Sequence, residues 1–526
     1  MDNRTDIAIV GYGPVGQTLA ILLGRLGYAV SVFERWPSLY PRPRAVHYDD
    51  EVARIFQRLG LAGELAAISE PATTYEWQNA AGQTLLSLDR TAPGPSGWPA
   101  ATMFSQPELE QVLDRAAKGV PTVEVRQGWN VMDLEEEGDH VRLRVRQGRE
   151  EAGGWVATGE ERDLRASWVI GCDGANSIVR ERMGTAVEDL GFAYDWLIAD
   201  TVPRDPGLLA GVNLQQCDPA RPTTLVSGGP GRRRWEWMLL PGETPEQVES
   251  EAFVWRMLAA SGIGPQDVSL ERHVVYTFRA RWAREWRRGR LLLAGDAAHQ
   301  MPPFAGQGMC SGIRDAFALC WHLDLVLRGL AHDSTLDLYT SERRGHLEHA
   351  IAVSVELGKV ICITDEAAAA ARDEVLLGVA ADPTVLPSEP PPPLLGPGLH
   401  DGRSAGAGSL FPQGRVRSAG REALLEDTFQ GPFALYALAR DPRELLDAET
   451  SRFLDELGCA YLLLGAEHDR IYEDWFAEHD CELALVRPDF HVFGTAAAER
   501  EALAALVAEL RTALTDSDHR QKGPTQ

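Results

Sequence analysis

The sequence has no run of 18 apolar residues, so no membrane-spanning helix is expected. Cysteine is sparse. The seven residues are Cys172, Cys217, Cys310, Cys320, Cys362, Cys459 and Cys481. Their number is odd and no CxxC occurs, which argues against a zinc knuckle or a dithiol redox site, and no metal centre is expected. Reduced thiols in the cytoplasm are the simplest expectation. The opening Met1-Asp2-Asn3-Arg4-Thr5-Asp6 is too polar for a signal peptide. Positive charge is in deficit, with 51 Lys plus Arg against 77 Asp plus Glu and a net charge of −26. Such a balance repels phosphate backbones, so nucleic-acid partners are not expected. What remains is ordinary for a globular protein: 44% apolar and 24% charged residues over 526 positions. That length suggests roughly three or four domains and a large core.

The organisation of the chain is legible in its punctuation. Asp6 to Val10 is a short apolar run, read as a buried strand. Gly11-Tyr-Gly-Pro-Val-Gly16 follows, then a helix over Gln17 to Leu26 that stops at Gly27. Tyr28 to Phe33 is a second strand ending at Glu34, which completes one βαβ unit. Pro107 to Ala117 reads as a helix, and His140 to Arg146 alternates like a strand. Trp168 to Cys172 is a buried strand running into Asp173-Gly174, and Arg290 to Ala294 is another, running into Gly295-Asp296. Between them, Glu188 to Arg281 is mixed, with strand-like stretches such as Trp235 to Leu240. Gly312 to Arg328 is a helix with Gly329 just past its end. Pro383, Pro387 and Pro390 to Pro393 make a stiff segment. Beyond it, strands at 433–438, 460–464 and 483–486 and a helix at 497–514 outline a separate α/β domain.

Three motifs carry chemistry. Gly11, Gly13 and Gly16 form GxGxxG between a strand and a helix, where glycines permit a tight turn and close approach of a pyrophosphate. Glu34 lies at the end of the next strand, where a carboxylate can accept ribose hydroxyls. Asp173-Gly174, followed by Arg180, and Gly295-Asp296, followed by His299, each sit at a strand end. Taken singly, each of these two also fits an ordinary strand-to-loop turn.

Together, in this order and spacing, the three motifs resemble those of the single-component FAD-dependent aromatic hydroxylases over about residues 5–380. Pro302-Pro303-Phe-Ala-Gly-Gln-Gly308 and Ser311-Gly-Ile-Arg-Asp-Ala316 extend the likeness. Arg42 to Glu51 and Trp235 to Gly242 bring it nearest to the 3-(3-hydroxyphenyl)propionate hydroxylases and the related resorcinol, phenol and polyketide hydroxylases. Residues of about 400–515, including Arg487-Pro-Asp489, resemble the thioredoxin-like domain of that subgroup; without CxxC, a structural or oligomeric role is expected of it.

The resemblance implies an α/β fold: a Rossmann-like FAD-binding domain with an inserted mixed α+β substrate domain and a C-terminal thioredoxin-like domain. The FAD-binding domain would comprise 1–75, 105–187 and 286–380, and the substrate domain 76–104 and 188–285. A Pro-rich linker at 381–399, the thioredoxin-like domain at 400–516 and a tail at 517–526 would complete the chain. The resemblance also implies non-covalent FAD, NADPH or NADH as a transient co-substrate, and hydroxylation of a phenolic or other electron-rich ring by O₂ through a flavin C4a-hydroperoxide. A homodimer is expected by the same analogy.

By the same likeness, Gly11, Gly13, Gly16, Glu34, Arg35, Arg44, Gln106, Asp173, Gly174, Gly295 and Asp296 would hold FAD, and Arg180 would help position the nicotinamide cofactor. Pro302, Pro303, Gly306, Gln307, Gly308 and Met309 would line the flavin ring, where backbone N–H groups can stabilise negative charge. Cys310 departs from the Asn found in many members and is a weaker hydrogen-bond partner. His47 is the expected base for the phenolic proton, with Tyr48 as the weaker candidate. Trp235, Trp237 and Met238 form either the pocket wall or an ordinary sheet core. Three competing functions stay open: a tailoring oxygenase of a polyketide or antibiotic, a non-oxygenating flavin oxidoreductase, and a flavin-binding scaffold.

Overall fold

The structure is a computed structural model and describes residues 4–39, 45–151, 154–381, 394–418, 420–429, 431–465 and 468–517. Arg44, most of the Pro-rich linker and nearly all of the expected tail lie outside the described residues.

The first sheet is built on parallel strands in the order Val123–Gln127, Val30–Glu34, Arg4–Val10, Gly154–Gly171, Leu291–Leu293. Numbered along the chain, that order is 3-2-1-4-5, the doubly wound pattern. It reverses between Arg4–Val10 and Gly154–Gly171, and in such sheets ligands bind at that switch point, beyond the carboxyl ends of the strands. Ile7, Ala8 and Ile9 have no exposed surface, as expected of a parallel strand covered on both faces. Helix Pro14–Arg25 follows the first strand, with proline in its first turn and Leu19, Ala20 and Leu23 fully buried. It packs against helix Gly308–Leu327. Every residue of that second helix from Cys310 to Leu325 is buried, Arg314, Asp315, His322 and Asp324 included.

The second sheet has eight strands: His299–Gln300, Val268–Ala283, Val187–Pro203, Arg233–Met238, Thr223–Ser227, Leu214–Cys217, Thr74–Asn79 and Thr84–Asp89. Its two faces differ. Trp235 and Trp237, stacked with centroids 5.9 Å apart, point outward into a cluster with Phe253, Val254 and Leu258 of helix Glu251–Ala260. Trp196 and Met238 point inward with Trp77, Ile361 and, from the segment after Pro303, Phe304. Helices Thr335–Ile361 and Glu366–Ala381 border this inner face.

The C-terminal domain is a four-stranded sheet in the order Ala460–Leu463, Ala434–Ala437, Leu483–Val486, Val492–Ala496, with only the first pair parallel. Helices Ala448–Glu456, Ile471–Glu478 and Arg500–Thr515 accompany it. Two buried ionic clusters fasten it to the rest. Arg487 makes a bidentate contact with Glu342 (2.8 and 2.7 Å), pairs with Asp489 at 2.6 Å, and lies 4.7 Å from the centroid of the Trp321 ring. Arg54 donates to the Phe411 carbonyl at 2.6 Å and to Glu426 at 2.9 Å. Arg54 belongs to helix Asp50–Arg58, which starts directly after strand His47–Asp49. The C-terminal domain thus braces the helix that fixes His47.

Candidate active site

The glycine-rich turn closes on the neighbouring strand end. Gly11 has φ +100°, and a Cβ there would lie 2.3 Å from the Cys172 carbonyl oxygen. Only glycine fits, because the left-handed backbone and the contact both exclude a side chain. Gly16 is equally confined, its would-be Cβ 2.2 Å from the Gly11 oxygen. Gly13 differs: a Cβ there would meet no atom of the described residues within 4 Å. It caps helix Pro14–Arg25, whose first turn has no side-chain cap and no acidic residue. The result is an open cradle at a helix N-terminus, suited to a pyrophosphate. Behind it, the Gln17 amide and the Thr18 hydroxyl are buried without partners among the described residues; nothing in the pattern of the motif marks them.

Glu34 accepts backbone N–H groups of Tyr12 (2.9 Å) and Trp36 (3.0 Å), so it also locks the glycine turn to the second strand. Burial pushes its carboxyl upward. Arg35 is exposed, with its guanidinium 5.3 Å from the centroid of the Trp36 ring. Gln106 joins this side of the cleft. It accepts from Ala45 N–H at 2.7 Å and donates to Glu110, a carboxyl that burial, helped by Glu34, raises to about 7.

The other two motifs lie across the same crevice. Asp173 Oδ2 accepts from Ile178 N–H at 2.7 Å, while its buried Oδ1 has no hydrogen-bond partner among the described residues. A Cβ on Gly295 would touch Val15 at 3.0 Å, which places the turn at Gly295-Asp296 against the glycine-rich helix. Asp315 holds that turn by accepting from Gly295 N–H at 3.1 Å, and it also pairs with His299 (2.5 Å) and Arg343 (3.0 Å). Burial opposes charge on Asp315, but His299 and Arg343 outweigh it and hold the carboxyl down. His299 is therefore engaged in a buried structural triad. Arg180 ties the two motifs together, donating to the carbonyls of Ala297 (2.8 Å) and Ala175 (2.6 Å).

The segment Pro303 to Met309 is half-buried throughout, and Pro302 is buried. Gly306 has φ +67°, and a Cβ there would lie 2.7 Å from His47 Nδ1. The His47 ring sits 3.5 Å from the Gly306 carbonyl oxygen, and burial lowers its pKa. Gln307 turns its side chain inward, donating to Asp49 at 3.0 Å and accepting from Arg314 at 2.9 Å. Arg314 also pairs with Asp49 (2.7 Å) and Glu51 (2.5 Å). Burial works against the Asp49 carboxylate, yet Arg314 holds it at about 2. Cys310 lies beneath, its sulfur 3.6 Å from the Gly306 carbonyl and 3.9 Å from that of His47. Arg314 and Asp315 were legible only as part of a motif, without roles, and Asp49 and Glu51 only as neighbours of His47.

Three candidates stand apart from this assembly. Tyr48 packs between Phe56 and Phe104 with its hydroxyl 3.2 Å from Ser69 Oγ, because strand alternation turns it to the face opposite His47. Trp235 and Trp237 are on the outer side of the substrate sheet, in the core under helix Glu251–Ala260. Met238, on the alternate side, does face inward.

Residues that would hold a flavin dinucleotide are thus present on both sides of one crevice, and the open space at Gly13 and the unpartnered Asp173 oxygen fit such a group. Comparisons with known proteins agree. Residues 4–354 match the FAD binding domain family, and residues 408–513 match the HcaD C-terminal domain. A Rhodococcus jostii protein named a probable NADH-specific resorcinol 4-hydroxylase is 38% identical over 543 aligned residues, covering 99% of this chain and 98% of that one. A 3-(3-hydroxy-phenyl)propionate/3-hydroxycinnamic acid hydroxylase of Mycobacterium sp. strain JLS is 34% identical over 95% of this chain and 90% of its own length. Among solved structures, the flavin-dependent monooxygenase PieE superposes with a TM-score of 0.77 at 21% identity, covering 96% of this chain and 99% of that one. Aklavinone-11 hydroxylase superposes with 0.76 at 24%, covering 97% and 99%. These two likenesses concern the fold. The fold and crevice define an FAD-binding flavoprotein. The chain belongs to the FAD-dependent aromatic hydroxylases, monooxygenases that use a nicotinamide cofactor and O₂.

Proposed function

We propose that this chain hydroxylates a small phenol and that His47 receives the phenolic proton. A phenol with pKa near 10 is mostly protonated at neutral pH, and the phenolate is the better nucleophile at its ortho and para carbons. FAD, when bound, supplies the hydride acceptance and O₂ activation that side chains lack. The residues of this chain then have separable tasks. The Gly11–Gly16 turn, Glu34, Asp173 and Asp296 hold the cofactor. The Pro302–Gly308 segment borders the reacting ring and excludes water. Arg180 and the neighbouring Arg281 are the candidate contacts for the nicotinamide cofactor.

The observation that carries the proposal is the apposition of His47 and Gly306. A carbonyl oxygen only accepts, so Nδ1 bears the hydrogen in that contact and Nε2 keeps its lone pair. Burial keeps the ring neutral at pH 7 and so able to act as a base. The two similar hydroxylases named above both carry a phenol in their names, which supports the substrate class. The test is a panel of phenols scored for stimulated NADH and NADPH oxidation and for hydroxylated product. Stimulated oxidation with product is expected; a panel with neither overturns the proposal.

A further inference from the structure

The inner face of the substrate sheet carries a buried acidic group, Glu236, beside the Asp200–Arg234 pair. Side chains alternate across a strand. Trp235 and Trp237 face the outer cluster, so Glu236 points with Met238 toward the inner side, where Trp196 meets Phe304 at a centroid distance of 5.7 Å. In the ladder, Glu236 stands opposite Ile198 on one side and Thr224 on the other. Tyr75 lies beside it and packs against the cluster holding Met103 and Val226, and Met103 is the cross-strand partner of His47. Glu236 and His47 therefore border one interlayer space, from the sheet side and from the FAD-domain side.

Glu236 is 8% exposed, and among the described residues Arg234 and Asp200 are the charges that act on it. Its neighbour Asp200 is paired directly. Arg234 holds that carboxylate through two nitrogens (2.7 and 2.9 Å), and Arg272 adds a third contact at 2.7 Å. Arg234 is therefore committed elsewhere. Arg372, brought to the edge of this face by helix Glu366–Ala381, is matched by Asp373 and the Cys217 carbonyl. A carboxyl this far buried loses much of its hydration, and in a binding site that loss is offset by a ligand that donates to it. Burial pushes this group up to about 7, with Arg234 pulling it down and Asp200 pushing it up. A ring bearing its own carboxylate would meet an acidic wall at Glu236, where Arg234, Arg272 and Arg372 are already engaged by acids; Arg90 acts on the opposite border, at His47.

We propose that Glu236 determines specificity by accepting a hydrogen bond from a second hydroxyl of a neutral dihydric phenol and by disfavouring phenols that carry a carboxylate. This rests on the phenol-hydroxylase reading above. A site that hydrogen-bonds a substrate hydroxyl rejects the analogue lacking it, because its own buried group is left unpaired.

The experiment measures Kd by calorimetry and kcat/KM with NADH for 1,3-dihydroxybenzene, phenol and 3-(3-hydroxyphenyl)propionate. Wild type, Glu236→Leu and Glu236→Gln are compared, each checked for FAD content. Wild type is expected to favour the dihydroxybenzene over both others, and Glu236→Leu to lower the dihydroxybenzene-to-phenol affinity ratio on the order of 10–100-fold. Glu236→Gln, which keeps the shape and an acceptor oxygen, should narrow the gap to the propionate. A wild type that favours the propionate, or ratios unchanged in an FAD-loaded variant, overturns the assignment, and the wild-type arm decides even if a variant does not fold. If phenols are hydroxylated without the dihydroxy preference, only the Glu236 assignment falls. If none is turned over, the phenol-hydroxylase reading falls with it.

Discussion

Substituting Gly11 and Gly13 by alanine separates a glycine required by the protein from one required by its cofactor. At Gly11 the added methyl would lie 2.3 Å from the Cys172 oxygen, 2.5 Å from its carbonyl carbon and 2.8 Å from Asp173 Cα. All three are backbone atoms of a central strand end and cannot rotate away. The left-handed backbone costs about 1–2 kcal/mol for a residue with a Cβ, and overpacking adds roughly 1–3 kcal/mol. Gly11→Ala should therefore destabilise the apoprotein by about 2–5 kcal/mol and lose FAD as well. At Gly13 the backbone is ordinary (φ −78°) and the methyl would meet nothing among the described residues within 4 Å. Apo Gly13→Ala should unfold at or slightly above the wild-type temperature, since replacing glycine at a compatible site stabilises by about 0.4–1 kcal/mol. If a pyrophosphate occupies that space, FAD affinity should fall at least about tenfold, or 1.4 kcal/mol. The assay is thermal unfolding of both apoproteins with fluorescence titration of FAD. A Gly13→Ala protein with wild-type FAD affinity would refute the reasoning.

Further outcomes follow from the same structure. His47→Ala should slow single-turnover hydroxylation by pre-reduced enzyme plus O₂ by about 10²–10⁴, with FAD content retained; a wild-type rate there removes His47 as the base. Because burial lowers the His47 pKa, the base form persists below pH 6.5, and the acid limb of the wild-type rate profile should lie beneath that value. Arg487→Leu strands the buried Glu342 and Asp489 carboxylates and should cost about 3–5 kcal/mol in chemical unfolding. Burial opposes charge on both acids, but Arg487 outweighs it and holds them below their ordinary range. Their contribution is complete above about pH 4–5 and is lost as pH falls through the lowered values, so the wild-type unfolding midpoint should drop in acid more than that of the variant. Cys459 and Cys481 are free, with thiols that burial pushes up, so changing both to Ser should leave turnover intact; loss of hydroxylation with FAD bound would contradict a structural role for this domain.

Local signals located the turns that the structure gathers at one switch point. Glycine spacing and the buried strands before Gly11, Asp173 and Gly295 are fixed by neighbours in sequence; the helix read over Gly312 to Arg328 begins four residues earlier, at Gly308. Helix Thr335–Ile361 was not legible, because it mixes buried Tyr339, Glu342 and Arg343 with exposed positions and pairs its charges across domains. The role of Trp235 and Trp237 turned on which face of the strand meets the flavin domain, and that is decided by helix Glu251–Ala260 covering the other. Glu236 escaped notice for the same reason, since a charged residue between two tryptophans reads as the solvent side of a strand until both faces are covered. The Asp49–Gln307–Arg314 and Asp315–His299–Arg343 clusters join residues far apart in the chain, so no spacing could announce them.

The most direct test of the account is a turnover in ¹⁸O₂ with the FAD-loaded enzyme, NADH and a dihydric phenol, followed by mass spectrometry of the product. The account predicts one ¹⁸O atom in the ring product, with acid precipitation of the same enzyme releasing intact FAD into the supernatant. NADH oxidation that yields only peroxide or an unlabelled ring across the phenol panel would contradict it.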